Sequence, residues 1–282
     1  MSQSDVRQHR SFLFVPGNRP ERFEKAMKSG ADVVILDLED AVAPQHKQIA
    51  RDAVAAWLAP DRPVLIRVNA KGTPEYEKDV QLAKLRGVAG IVLPKAESAL
   101  DIIDLVGRAK RRVSVYPLIE SAKGIWNALE IAKAPFVCHL MFGTLDFCAD
   151  VGMEPNGSEL DPFRSQLALI SRVAGIRAPI DGVTQSIDDE EVLGAESTKA
   201  KRWGFAGKLC IHPKQIPVVN RSFGPSVAEF AWARRVCDAF EDANGAAVAV
   251  DGKMVDRPVF LRAQSILDAV GLATAQQWEH LK

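Results

Sequence analysis

Two carboxylates carry the clearest chemical signal in this sequence. Glu120 follows the apolar run Tyr116-Pro117-Leu118-Ile119, and Asp146 follows Leu140-Met141-Phe142-Gly143. They stand 26 positions apart, about one helix-plus-strand repeat. In a parallel βαβ unit, consecutive strands lie side by side with one polarity, so both carboxylates open on the same face. Oxygen ligands without a His or Cys partner suit Mg²⁺ (or Mn²⁺) rather than Zn²⁺. The plainer alternative is a pair of solvated strand-end residues that start the next helices, and the pattern alone leaves both open. Arg67 ends the strand-like V-L-I-R-V-N, where a charge is costly unless paired. It reads as a guanidinium clamp for a substrate carboxylate, as an internal ion pair with the cluster Asp37, Glu39 and Asp40, or as both. The three acidic residues read as groups that orient Arg67 and the waters of a bound cation. Pro16-Gly17-Asn18-Arg19, ahead of a helix start, is a weak anion-binding signal. His139 lies inside an apolar run and reads as packed. Lys208 and His212 read as ordinary rim residues.

The elements that must position these groups alternate in a regular way. Apolar β-type runs end near residues 16, 37, 67, 94, 119, 143, 182 and 211, and helical patterns fill most of the gaps. Ala96 to Ala109 is amphipathic at helical spacing. Ser121 is a good N-cap for the helix between the fifth and sixth strands. Eight strand-then-helix units predict a (β/α)₈ TIM barrel, whose active site lies at the C-terminal ends of the strands. Asn18, Arg19, Asp37, Glu39, Asp40, Arg67, Asn69, Lys95, Glu120, Asp146, Asp181, Lys208 and His212 all fall at or near those ends. The rhythm breaks at Asp150 to Asp161, which reads as a long polar loop. Residues 1–224 form the expected barrel. Residues 225–282 form a helical extension, with helices over Val227 to Glu241 and Val259 to Val270 and a turn at Val248 to Gly252.

Bulk properties narrow the function class. The 282 residues are 47% hydrophobic and 26% charged, an ordinary globular composition with length enough for a large core. Lys+Arg and Asp+Glu both number 36, so the net charge is zero, which argues against a nucleic-acid partner. A locally basic pocket for an anionic small molecule is still allowed. Cys138, Cys148, Cys210 and Cys237 form no CxxC pair and fit free thiols in a reducing compartment. The polar N-terminus lacks a signal-peptide core, and no apolar run approaches the ~20 residues of a membrane span. The expectation is a cytoplasmic protein with no membrane or nucleic-acid partner.

The motifs taken together resemble a known family. F-V-P-G-N, L-D-L-E-D-A-V, I-R-V-N, V-L-P-K, P-L-I-E-S-A-K-G, F-G-T-L-D-F and G-K-L-C-I-H-P-K-Q resemble, in order and over nearly the whole chain, the citrate lyase β-subunit-like branch of the HpcH/HpaI aldolases, with malyl-CoA lyases as close relatives.

The resemblance implies a TIM barrel that makes or breaks C–C bonds in acyl-CoA-type thioesters by Mg²⁺-dependent Claisen chemistry, yielding a keto acid and acetyl-CoA in cleavage. It places the metal carboxylates on Glu120 and Asp146 and the substrate-carboxylate arginine on Arg67. Asp37 and Asp40 fall beside the substrate. CoA contacts fall on Phe14 to Arg19 and on Ile211 and His212; some relatives have Tyr where this chain has Phe14, so a hydroxyl contact is missing. The family's C-terminal motif appears as Met254-Val255-Asp256-Arg257-Pro258. It implies that Asp256 is the acid/base and is lent by a neighbouring subunit of a homotrimer or hexamer; by pattern alone Asp256 is a surface turn residue. Two other activities are compatible with the resemblance. One is hydrolysis of a malyl-CoA-type thioester. The other is a β subunit that works only within a lyase complex on an acyl-carrier-protein thioester.

Overall fold

Parallel strands covered on both faces must be apolar on both faces, and short runs of Val, Ile, Leu and Phe supply that here. The computed structural model describes residues 9–154 and 157–271. Its strands are β1 (Ser11–Pro16), β2 (Val33–Asp37), β3 (Val64–Arg67), β4 (Val88–Leu93), β5 (Ser114–Ile119), β6 (Met141–Phe142), β7 (Ile180–Asp181) and β8 (Gly207–Cys210). They pair in chain order and all in parallel, and β8 closes on β1 through Ser11↔Lys208, Phe12↔Leu209 and Leu13↔Cys210. The (β/α)₈ barrel expected from the sequence is the observed fold.

The helices between the strands are α1 (Phe23–Met27), α2 (Lys47–Trp57), α3 (Tyr76–Val80), α4 (Ala99–Ala109), α5 (Ala122–Trp126), α6 (Ala128–Ala132), α7 (Thr144–Val151), α8 (Asp161–Ala174) and α9 (Glu190–Arg202), with α10 (Ile216–Phe223) after β8. Side-chain caps fix several starts: Ser98 Oγ accepts from Leu100 N, Ser121 Oγ from Gly124 N and Asp189 from Val192 N. Among the described residues no helix is long and apolar enough to cross a membrane.

Period-two alternation sorts each strand into an inward and an outward row. Phe12, Ile35, Leu65, Val92, Tyr116, Leu118, Met141, Ile180 and Leu209 fill the barrel interior, with Phe14, Val33 and Val183 packed against them. Two residues further along their strands, Asp37, Arg67 and Glu120 continue the inward rows of Ile35, Leu65 and Leu118. A polar layer therefore sits on an apolar floor. The neighbouring row behaves differently on β7 and β8. Asp181 and Lys208 are register partners, buried behind the wall, where they join Arg164 of α8 (3.0 Å to Asp181) and Glu196 of α9 (3.6 Å to Lys208). Lys208 is thus an internal ion-pair residue rather than a rim residue.

The described residues after the barrel form a second compact unit, with the division at Asn220/Arg221. It contains α11 (Val227–Asp242), the antiparallel hairpin β9 (Val248–Val250) and β10 (Lys253–Val255), and α12 (Arg257–Gly271). Ser226 and Glu229 form a reciprocal capping box at the start of α11. Ala233, Val236, Cys237, Phe240, Val255 and Ala263 make its core, and Phe240 stacks on Phe260 at 4.6 Å. Two expectations are corrected. Val248 to Gly252 is not only a turn: Asp251 and Gly252, both at positive φ, join two strands, as an Asp-Gly pair does in a tight hairpin. The polar loop does not begin at Asp150, because Gly143 starts α7, which runs through Asp150 to Val151 before Gly152 stops it in a left-handed conformation.

His139 is packed, as its position suggested. It stacks on Tyr116 at 5.8 Å, and its Nδ1–H donates to the Ala178 carbonyl at 2.7 Å. Burial lowers its pKa from 6.5 to about 4. The unfolded chain therefore takes up a proton between these values that the folded chain refuses. The associated stability is complete above pH 6.5 and is lost as pH falls toward about 4. His139→Gln, which keeps a donor for Ala178, is expected to remove about 3 kcal/mol of that acid-side loss, read as the difference between the two proteins' denaturant midpoints across this range.

Candidate active site

The barrel mouth is organised around Arg67. Asp37 is its register partner on β2, and the two meet side by side: Nε donates to Asp37 Oδ1 at 2.7 Å and a terminal nitrogen to Oδ2 at 2.6 Å. Asp37 also accepts from the backbone of Glu39 (2.9 Å) and Ala41 (3.2 Å), so its own position is fixed by the turn that follows β2. That turn is tied down in turn by Lys47, whose ammonium donates to the carbonyls of Leu38 and Glu39, each at 2.7 Å. Asn69 donates to the Leu38 carbonyl at 2.9 Å and is itself held by buried Asp79, which accepts in turn from Arg51 at 3.0 Å. Arg67 lies over the Phe14 ring at 4.7 Å, a cation–π contact from β1. Burial opposes its charge, yet Asp37, Glu39 and Asp40 together raise its pKa above the usual arginine value. The internal ion-pair reading of Arg67 is therefore correct. It does not exhaust the side chain: of five N–H bonds, two go to Asp37, and the other three, all on the terminal nitrogens, have no hydrogen-bond acceptor among the described residues.

Glu120 is 4% exposed, and its Oε1 accepts from the Lys95 backbone N–H at 2.7 Å. Its other oxygen lies over Gly143, where any Cβ would come within 2.6 Å of it, so the carboxylate can take this position only because residue 143 has no side chain. Burial, then the charges of Glu39 and Asp146, raise the Glu120 pKa to about 8. Glu39 is also buried, and burial raises its pKa to about 7 against the pull of Arg67. The nearest Arg67 nitrogen is 2.9 Å from Glu39 Oε2, but no N–H points along that line, so this buried oxygen has no hydrogen-bond donor. Asp146 stands exposed in the first turn of α7. Glu120 thus feels both Glu39 and Asp146, Glu39 has an orphaned oxygen, and burial together with neighbouring carboxylates pushes up the pKa of each of these two glutamates. A bound divalent cation would relieve that arrangement. Among the described residues no three His, Cys, Asp or Glu side chains form a closed ligand cage. Mg²⁺ does not need one, because it keeps waters and substrate oxygens around one or two carboxylates. Glu120 and Asp146 fit it.

The other expected residues are placed as follows. Asp40 is exposed, 3.9 Å from Arg67. Arg19 follows β1 and pairs with Glu21 at 2.7 Å, while the adjacent Asn18 has a buried Oδ1 with no partner. Ile211 and His212 follow β8; Ile211 is 41% exposed, and the His212 ring accepts from Lys214 N at 3.2 Å to cap a short helical turn over Pro213–Gln215. Gln215 was not singled out from the sequence. Its side chain ties the β8 loop to the β7 loop, accepting from Ile211 N (2.9 Å) and donating to the carbonyls of Thr184 (2.9 Å) and Ser186 (3.0 Å). Its offset from His212 in the Ser/Thr-x-x-Gln style of a capping box was the available signal. Asp256, in the C-terminal unit, is the N-cap of α12: its carboxylate accepts from Val259 N at 3.4 Å. Lys95 is exposed at the end of β4 with φ 49°, a left-handed conformation costing of order 1 kcal/mol for a residue with a side chain.

Comparison with known proteins agrees with this geometry. Residues 10–213 match the family model described as HpcH/HpaI aldolase/citrate lyase. A citrate lyase subunit beta-like protein of Mycobacterium tuberculosis is 40% identical over 273 residues, covering 94% of this chain and 97% of the relative. A (3S)-malyl-CoA thioesterase of Cereibacter sphaeroides is 34% identical over 267 residues, covering 92% and 93%. A crystal structure of CitE from M. tuberculosis, in complex with magnesium, acetoacetate and coenzyme A, is 38% identical and superimposes with a TM-score of 0.84 over 94% of this chain and all of that one. With the barrel, the mouth carboxylates and these matches in agreement, the chain belongs to the HpcH/HpaI aldolase/citrate lyase family.

Proposed function

We propose that this chain is a Mg²⁺-dependent carbon–carbon lyase acting on a hydroxyacyl-CoA thioester of the citryl-CoA or malyl-CoA type, releasing a keto acid and acetyl-CoA, or running the reverse condensation. The observation that carries this reading is the pairing of a pre-oriented guanidinium with crowded, buried carboxylates on one apolar floor. Arg67 binds the carboxylate of the acyl group through terminal N–H bonds that Asp37 leaves unused, while Asp37 keeps the fork from turning. Glu120 and Asp146 would hold Mg²⁺, which supplies electrostatic stabilisation of negative charge on the substrate's hydroxyl-derived oxygen. In cleavage the hydroxyl gives its proton to water, the bond between the carbinol carbon and the thioester α-carbon breaks to leave the keto acid, and the electron pair of that bond passes to the thioester as an enolate. Asp256, contributed by a neighbouring subunit of a homotrimer or hexamer, protonates that carbon; in condensation it removes the proton from acetyl-CoA. Residues 225–282 act as the extension that carries Asp256 across. Phe14, Arg19, Ile211 and His212 line the approach of the CoA arm, and the protein works in the cytoplasm.

Product analysis on malyl-CoA and citryl-CoA with Mg²⁺ tests the reading. A keto acid plus acetyl-CoA is the expected outcome. Malate plus free CoA would instead place the chain with its thioesterase relative. Activity only with an acyl-carrier-protein thioester and added subunits would place it within a lyase complex.

A further inference from the structure

We propose that Lys95 is a specificity residue whose ammonium receives the second carboxylate of a dicarboxylic keto acid when Arg67 holds the first; this rests on the lyase reading above. Residue type and backbone conformation are mismatched at position 95. Position 95 is held at φ 49°, where glycine would be free of strain. The contact this conformation provides, a backbone N–H to Glu120 Oε1 at 2.7 Å, is one that any residue except proline could make. Neither the turn nor Glu120 therefore requires a lysine side chain, and the strain is kept with a side chain that has another use.

The electrostatics of the mouth show what that use is. Glu39, Asp40, Glu120 and Asp146 crowd it with carboxylates. Against them stand Arg67, mostly buried with 12% of its side chain exposed, and Lys95 on the exposed rim of the next strand. Arg19 is paired with Glu21, whereas Lys95 makes no ion pair among the described residues. Its charge still reaches the interior, since it acts on the buried Glu39 carboxylate. A keto acid that seats one carboxylate on Arg67 at depth directs any second carboxylate outward, past Glu120, to the rim where Lys95 stands. A monocarboxylic acid has nothing to place there.

Calorimetric binding to the full chain at saturating Mg²⁺, with oxaloacetate and pyruvate as probes, tests this. Lys95→Gly keeps the N–H and releases the backbone; Lys95→Gln keeps the backbone as it is and removes only the charge. Both are expected to weaken oxaloacetate about tenfold and pyruvate less than about twofold, while Lys95→Arg keeps the wild-type ratio. Mg²⁺ titrated alone is expected to bind the two neutral variants at least as well as the parent, because Glu120 keeps its donor and a charge that repels the cation is gone. Equal weakening of both acids, no weakening of oxaloacetate, or a loss confined to one of the two neutral variants overturns the proposal. If neither acid binds the unaltered chain, the lyase reading itself falls and this proposal with it.

Discussion

Glu120→Gln is expected to lower Mg²⁺-dependent turnover about 10³-fold and to remove detectable Mg²⁺ binding at millimolar cation. The substitution is isosteric. The amide oxygen can still accept from Lys95 N, and Gly143 still leaves it room, so the loss reports charge and not shape. A second reading separates a site residue from a structural one. The Glu120 carboxylate is buried and repelled by Glu39 and Asp146. Neutralising it takes away a burden, so the variant's Tm in EDTA is expected to equal or exceed that of the parent, while the stabilisation Mg²⁺ gives the parent disappears. A variant that loses Tm along with activity, or one that keeps its Mg²⁺ response, would remove Glu120 from the site. Asp146→Asn, at an exposed position, is expected to shift activity in the same direction.

The second large effect is at Asp256. Asp256→Asn is expected to lower turnover by about 10² to 10⁴ with keto-acid and Mg²⁺ binding unchanged. Asparagine is chosen because Asp256 caps α12, and an asparagine side chain accepts from the Val259 N–H as well as an aspartate does. Alanine would confound lost chemistry with a softened helix start. Mixing supplies the decisive control. Glu120→Gln and Asp256→Asn chains, each inactive alone, are expected to regain activity when co-expressed, in roughly a quarter of the sites by random pairing around a ring. No recovery on mixing would mean that any role of Asp256 lies within its own chain.

Much of this was legible in the sequence, and the reasons are physical. Barrel strands are short, apolar and ended by Pro, Gly or a charge, so the positions of Asp37, Arg67, Glu120 and Asp146 near the strand ends follow from local pattern. Two kinds of information were not local. Whether Arg67 is an internal ion pair or a clamp depends on how its N–H bonds are shared, and that needs the Asp37 register. The left-handed backbone of Lys95 leaves no trace in sequence, because lysine is not the residue that conformation favours. The hairpin holding Met254 and Val255 was missed for another reason. Its strands are only three residues each, Val248–Val250 and Lys253–Val255, too short to show alternation, although the Asp-Gly pair between them was visible. Asp181 and Lys208 were counted at the mouth because a strand-end position does not say which side of the wall a side chain takes. With Ile180 and Leu209 inside, period two sends both outward.

That outward turn leaves one side of the barrel's inner wall without charge, below Arg19 and His212 at the strand ends. From β2 to β6 the rim carries Asp37, Arg67, Glu120 and Asp146. From β7 round to β1 the side chains packed on the barrel core are Val183, Leu209 and Phe14. A molecule with an anionic head and a long uncharged arm can therefore lie across the mouth in only one sense. Reversed, it would press its carboxylate onto aliphatic and aromatic carbon and leave Arg67 facing methylene groups. The barrel reads direction before any bond is broken, as a keyed connector refuses a plug turned end for end.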